Sequence, residues 1–193
     1  MKKILKFLIL ILVIGCKTNT SEKNIDFNEF IEKNDKYDHI IGPLNRIELE
    51  KYPFSMWFDK SYKDYLVDSE TTSLIGKLIN DFEITVFMGT WCEESQKDLP
   101  AFFKIIDQTS FDKQKIKMIA MSEEKTTPSN LEKGQEIYNI PTFIFKKNGT
   151  EINRIVEFPV ETLEKDMYKI LSGQDYKHIY CLLYTSDAAD DRV

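Results

Sequence analysis

Within residues 83–121 the hydrophobic pattern changes its period twice. Residues 83–88, E-I-T-V-F-M, are a short β-rich run that reads as a buried strand. Leu99, Phe102, Phe103 and Ile106 then recur at i, i+3, i+4 and i+7, one face of a helix, with Pro100 inside it as an expected kink. Residues 115–121, K-I-K-M-I-A-M, return to a strand, with Ile116, Met118 and Ala120 on one face. Downstream, residues 142–145 and 151–156 read as two more strands. Asn148-Gly149 between them is a strong two-residue hairpin signal. Leu163, Met167, Ile170 and Leu171 mark a last helix, supported by a Glu161–Lys165 pair and ended by Gly173. Upstream, Ser69 or Thr71 is placed to cap a helix carrying Leu74, Ile75, Leu78 and Ile79. This order predicts an α/β fold, a central mixed β-sheet flanked by helices with one antiparallel edge pair.

The two ends stand apart from that pattern. Lys2, Lys3 and Lys6 precede an apolar run over residues 7–14 that is too short to span a bilayer, so residues 1–15 read as a signal peptide. The run closes on Val13-Ile14-Gly15-Cys16, which resembles a bacterial lipobox. That resemblance implies cleavage before Cys16, its lipidation, and a membrane anchor. Residues 16–26 are then a lipidated cysteine and polar tether. Residues 27–65 read as an N-terminal extension packed on the main domain. In it Ile25, Phe27, Phe30 and Ile31 suggest a short helix nearby, Gly42-Pro43 breaks the chain, and the aromatic-dense stretch 52–58 packs inward. Residues 66–180 are the main domain. Residues 181–193, beginning Cys181-Leu182-Leu183-Tyr184, resemble an in-frame translation of a sequencing adapter and are set aside as a non-native tail.

Composition narrows the function classes. Of 193 residues, 42% are hydrophobic and 30% charged, an ordinary globular balance. A net charge of −6 and an isoelectric point near 5.1 argue against nucleic acid as a partner. Two histidines, His39 and His178, have no ligand-type residue at metal-binding spacing and read as packing or surface residues; no metal or other cofactor is expected. Outside Cys16 and the tail, Cys92 is the one thiol of the domain, too few for a disulfide framework.

Cys92 follows a strand and a Gly-Thr-Trp loop and opens a helix. There the unpaired backbone N–H groups favour a thiolate, the reactive form. Ser95, one turn on, can point its hydroxyl back at the sulfur. Ile140-Pro141-Thr142 precedes a strand, and its X-Pro bond is a candidate cis peptide. Taken together, Trp91-Cys92-Glu93-Glu94-Ser95 resembles the thioredoxin-family Trp-Cys-X-X-Cys site with serine in place of the second cysteine. Pro100, Ile140-Pro141-Thr142, Asn148-Gly149 and residues 160–171 resemble the kinked helix, cis-proline loop, hairpin and terminal helix of that family, over residues 66–172. The wider pattern is similar to thioredoxin-family lipoproteins of Bacteroidetes-type bacteria.

The resemblance implies a thioredoxin-like fold and a catalytic role for Cys92 assisted by Ser95. It also implies that Trp91 shields the thiol, and that Ile140, Pro141 and Thr142 offer backbone to an extended substrate. The departures are equally informative. Ser95 cannot resolve a mixed disulfide. The family's buried acid position is Val86, and Glu93 and Glu94 bring negative charge to the sulfur, so a milder nucleophile is expected. The expected activity is thiol–disulfide exchange through a single thiol, on exported proteins with disulfides or thiol adducts, resolved by a small thiol or redox partner on the periplasmic side of the envelope. The alternative is a non-catalytic module that binds peptide near Pro141. Iron–sulfur binding of the monothiol glutaredoxin kind and peroxidase chemistry fit less well, since neither motif surrounds Cys92.

Overall fold

The protein is represented by a computed structural model that describes residues 31–33 and 38–183. Seven strands and five α-helices lie in these residues. They are β1 (Ile31–Lys33), β2 (Asp38–Ile40), β3 (Gly42–Leu44), α1 (Arg46–Leu49), α2 (Ser55–Asp64), α3 (Ser69–Leu78), β4 (Glu83–Met88), α4 (Glu93–Asp107), β5 (Ile116–Ala120), β6 (Thr142–Lys147), β7 (Thr150–Val156) and α5 (Leu163–Ser172). β1 and β2 form a small antiparallel ladder. The other five strands make one mixed sheet in the order β3-β5-β4-β6-β7. β4 runs parallel to β5 and antiparallel to β6, and β3 and β7 are antiparallel edges. The expected central mixed sheet flanked by helices is therefore what the chain forms.

β4 is the middle strand, and every residue after Glu83 is buried. This is why its sequence is a near-continuous apolar run rather than an alternation. α4 carries the chain from β4 back to the parallel β5, burying Leu99, Phe102, Phe103 and Ile106 as their spacing requires. It runs unbroken through Pro100. Phe102 meets Phe143 of β6 with ring centroids 5.1 Å apart, and Phe103 meets Phe58 of α2 at 6.1 Å. Each of these fully buried rings contributes enough that truncation to alanine would cost about 3–5 kcal/mol. The aromatic-dense stretch packs inward in part: Phe54 and Phe58 enter the same core, while Tyr52 and Met56 are exposed. Asn148 and Gly149 turn β6 into β7 with φ of 53° and 76°, the left-handed pair that a tight hairpin needs. Gly173, at φ 73°, ends α5.

Three details differ from the sequence reading. Ile31 lies in β1, paired with Ile40, not in a helix; Ile25, Phe27 and Phe30 lie outside the described residues. Gly42-Pro43 does not simply break the chain: it is part of β3, an edge strand registered on Met118–Ala120. An edge tolerates proline because one side of the strand makes no ladder. The extension thus adds a strand to the sheet as well as packing on it. Finally, the cap of α3 is neither Ser69 nor Thr71 but Asp68, whose carboxylate accepts from the N–H groups of Glu70 and Thr71. Cys181, Leu182 and Leu183, from the segment set aside as a tail, continue a helical stretch over residues 179–183.

Arg46 fastens the extension to α4. Its Nη1 lies 2.6 Å from Asp107 Oδ2 and its Nε 2.7 Å from Glu50 Oε1. The guanidinium sits over the rings of Phe103, Tyr62 and Phe58, at 5.0, 5.3 and 5.7 Å from their centroids. Tyr62 donates its hydroxyl to the same Asp107 oxygen at 2.8 Å. Among the described residues no helix is long and apolar enough to cross a membrane.

Candidate functional site

The site forms where β4 ends and α4 begins. The loop between them is short because Cys92 N–H donates back to the Gly89 carbonyl at 3.1 Å, and Gln96 N–H donates to the Cys92 carbonyl at 2.9 Å as the first turn of the helix. Cys92 is thereby the N-cap residue of α4. Trp91 folds across the loop and donates its indole Nε1–H to the Met121 carbonyl at 2.8 Å. Gly89 allows this closeness: a Cβ there would stand 2.8 Å from Trp91 Cε2 and 3.0 Å from Ile140 Cδ1. Thr90, which sequence reasoning gave no role, is buried. Its hydroxyl accepts from Ile40 N–H at 3.2 Å, and its carbonyl accepts from the Gln96 amide at 2.8 Å. The thiol loop is therefore tied to the N-terminal extension.

Cys92 is only 6% exposed and packs with Phe87, Met121, Ile140 and Ile144. Its Sγ–H has two acceptors in range, Glu94 Oε2 at 3.2 Å and the Ile140 carbonyl at 3.6 Å. Ser95 is fully buried rather than on the helix surface, and its hydroxyl accepts from Gly89 N–H at 3.2 Å. Burial pushes the Cys92 thiol up from its ordinary range. The hydroxyl and N–H of Ser95 favour the thiolate, while the carboxylate of Glu94 opposes it. The net direction is upward. This corrects the expectation that the helix start would favour the thiolate: an apolar lining and an adjacent carboxylate outweigh it. Of the two acids expected near the sulfur, Glu94 makes the contact and Glu93 is exposed.

The second strand of the site is the loop before β6. The Ile140–Pro141 peptide is cis, and Ile140, Pro141 and Thr142 are all buried. The Ile140 carbonyl faces the thiol, the Pro141 carbonyl accepts from Glu157 N–H at 2.8 Å, and the Thr142 hydroxyl donates to the Asn139 carbonyl at 2.6 Å. Thr142 is also flanked by β4 and β7. In this arrangement much of the backbone at 140–142 is engaged within the protein. Glu157 is a further residue that the sequence left without a role. Its carboxylate accepts from Asn139 Nδ2 at 2.9 Å and from the Tyr180 hydroxyl. Burial and then the charge of Glu94 hold it above the usual carboxylate range.

Among the described residues the other cysteine is Cys181, which is exposed and whose Sγ lies 3.2 Å from His178 Nε2. Chemically, then, the loop presents one sulfur with an acceptor on either side and a buried hydroxyl, but no second sulfur to complete an intramolecular exchange. Val86 is a fully buried core residue.

No protein-family model matches the chain, and no curated protein does. Solved structures similar to it include a protein of unknown function from Pseudomonas aeruginosa, at 16% identity and a TM-score of 0.45 over 62% of this chain and 81% of that one. Mitochondrial thioredoxin 3 from Saccharomyces cerevisiae in its oxidised form is similar at 21% identity, with a TM-score of 0.35 over 58% of this chain and 98% of its own. A yeast mitochondrial 1-Cys peroxiredoxin is similar at 24% identity, with a TM-score of 0.30 over 49% and 85%.

Proposed function

We propose that this protein is a thioredoxin-like thiol–disulfide exchange protein that works through Cys92 alone. The observation that carries the reading is the seat of the sulfur. Cys92 closes the β4–α4 loop between Trp91 and the buried Ser95 hydroxyl, with the Ile140 carbonyl 3.6 Å from its Sγ. In the reaction the Cys92 thiol loses its proton and the thiolate attacks one sulfur of a disulfide. That sulfur's partner leaves as a thiolate, and a mixed disulfide holds the substrate. A small thiol or redox partner then attacks the mixed disulfide, releases the substrate and returns Cys92 to its reduced form. Ser95 steadies the thiolate but does not resolve the intermediate. Attachment to a membrane through Cys16, a periplasmic setting and exported disulfide-bearing substrates belong to the same reading; Cys16 lies outside the described residues.

The test is adduct mapping on the full chain in detergent. Oxidised glutathione is expected to leave one glutathionyl group on the peptide containing Cys92, and reduced glutathione to remove it. Absence of that adduct at every pH between about 6 and 9, a span bracketing the ordinary thiol range, would overturn the reading. The burial of Cys92 and its raised pKa favour a second reading, a peptide-binding module whose thiol is incidental. Retention of partner binding by Cys92→Ala together with an unreactive thiol would establish it.

A further inference from the structure

Beside the thiol loop, on the side of the N-terminal extension, lies a cleft of about 620 Å³. Phe54, Met56 and Trp57 of the extension form one wall, and Trp91 of the loop and Glu93, the first residue of α4, form the other. Trp91 and Glu93 are the chain neighbours of Cys92 on either side, so whatever fills the cleft lies against the residues that frame the sulfur. The extension's wall is apolar and aromatic, with Met56 68% exposed, and His39, Thr90 and Gln96 complete the lining. Glu93 and Glu123 stand on the lining, both exposed. No lysine or arginine lines the cleft, and none forms an ion pair with either acid among the described residues. An occupant that fits has an apolar body for the aromatic wall and a positive charge for the two acids.

We propose that this cleft selects the polypeptide substrate, taking an extended segment in which an apolar side chain adjoins a lysine or arginine, next to the cysteine under attack. The inference rests on the exchange function proposed above and adds its substrate class. The extension is then part of the substrate site, because it supplies the apolar wall. The two acids act by charge attraction, and the cation of the substrate also offsets the negative field around Glu94.

The test uses the full chain carrying Cys16→Ser and Cys181→Ser, in detergent, and three peptides, each with a single cysteine activated as a mixed disulfide with 5-thio-2-nitrobenzoate. The flanking pair is Lys-Leu, Ala-Ala or Glu-Leu. Attack by Cys92 joins its sulfur to the peptide and releases the nitrothiobenzoate thiolate, whose absorbance gives the rate; one disulfide forms as another breaks. The Lys-Leu peptide is expected to react about tenfold faster than the Glu-Leu peptide, two weak exposed pairs gained against two repulsions, with the gap closing at high salt. The doubly substituted Glu93→Lys, Glu123→Lys chain is expected to reverse the order, a result that misfolding cannot mimic. Equal rates for all three peptides would overturn the cleft as a selector and leave the exchange reading standing. Absence of any release would overturn the exchange reading. In that case fluorescence polarisation of labelled peptides on Cys92→Ala decides the cleft alone: tighter binding of Lys-Leu supports it, and no preference overturns it.

Discussion

The two ends of α4 carry the same helix but opposite lessons about charge. An unpaired helix start favours an anion and a helix end favours a cation, each by about 0.3–1 kcal/mol at an exposed position. At the start, Cys92 should on that ground lose its proton easily. At the end, Asp107 should be an unwelcome carboxylate. Both run the other way. Burial, with the Glu94 carboxylate beside it, pushes the thiol up. Burial alone would also raise Asp107, but Arg46 and Tyr62 donate to it, the Lys113 ammonium pairs with it, and together they hold its carboxyl below the usual range. Charge-assisted hydrogen bonds contribute about 1.5–3 kcal/mol each before screening, so direct contacts decide the outcome at Asp107, whereas at Cys92 burial decides it and the Glu94 contact adds to it. What differs is the sign of the contact: donors converge on Asp107, and an acceptor faces Cys92.

The comparison can be broken most readily at the C-terminal end. Asp107→Ala leaves Arg46, Tyr62 and Lys113 around a missing acceptor, and the expected loss is about 2–3 kcal/mol in urea unfolding, less than a fully buried pair because Asp107 is partly exposed. A loss below about 0.5 kcal/mol would show that the cluster only decorates the surface. At the other end, Ser95→Ala strands the buried Gly89 N–H, at a cost of about 1–2 kcal/mol. It also removes a donor to the thiolate, so alkylation of Cys92 at neutral pH should slow. Unchanged stability and rate together would show that Ser95 only fills space.

Two smaller effects sharpen the contrast. Glu94→Gln removes the negative charge facing the sulfur, so the alkylation inflection should move down and the rate at pH 7 rise about two- to tenfold. A fall in rate would instead make Glu94 the base that takes the thiol proton. Asp107 also predicts a pH dependence. Its folded pKa is lowered, so its stabilisation is present above the ordinary carboxylate range near 4 and is lost as pH falls through the folded value. The acid limb of a stability–pH curve should be shallower in Asp107→Asn, by about 1 kcal/mol or less given its exposure. Identical acid limbs would assign acid sensitivity to other carboxylates.

The parts of the fold that were readable from sequence are those set by neighbours along the chain. The β4 run, the apolar face of α4, the Asn148-Gly149 turn and α5 each follow from a local period or turn chemistry, and each sits where its residues indicate. β3 was not readable, because three residues including a proline become a strand only by pairing with Met118–Ala120, far along the chain. The α3 cap was placed too late, at Ser69 or Thr71, because all three residue types cap well and only the backbone shows that Asp68 is the one preceding the helix. At the site, Cys92 and Ser95 could be named from their place in a motif. The thiol's environment could not: it is assembled from Glu94, Met121, Ile140 and Ile144, three segments whose meeting no local pattern encodes. The Arg46–Asp107 pair, 61 residues apart, was hidden for the same reason.

The edge position of β3 has a kinetic meaning. Its pairing with β5 closes a loop of more than seventy residues, the kind of contact that forms late and opens early relative to the β4–β6–β7 ladder. When it opens, β5 becomes the outermost strand and its bare amides turn into a template for another chain. The Ile40–Thr90 hydrogen bond is anchored next to the same strand, so one local opening event would both loosen the thiol loop and expose an adhesive edge.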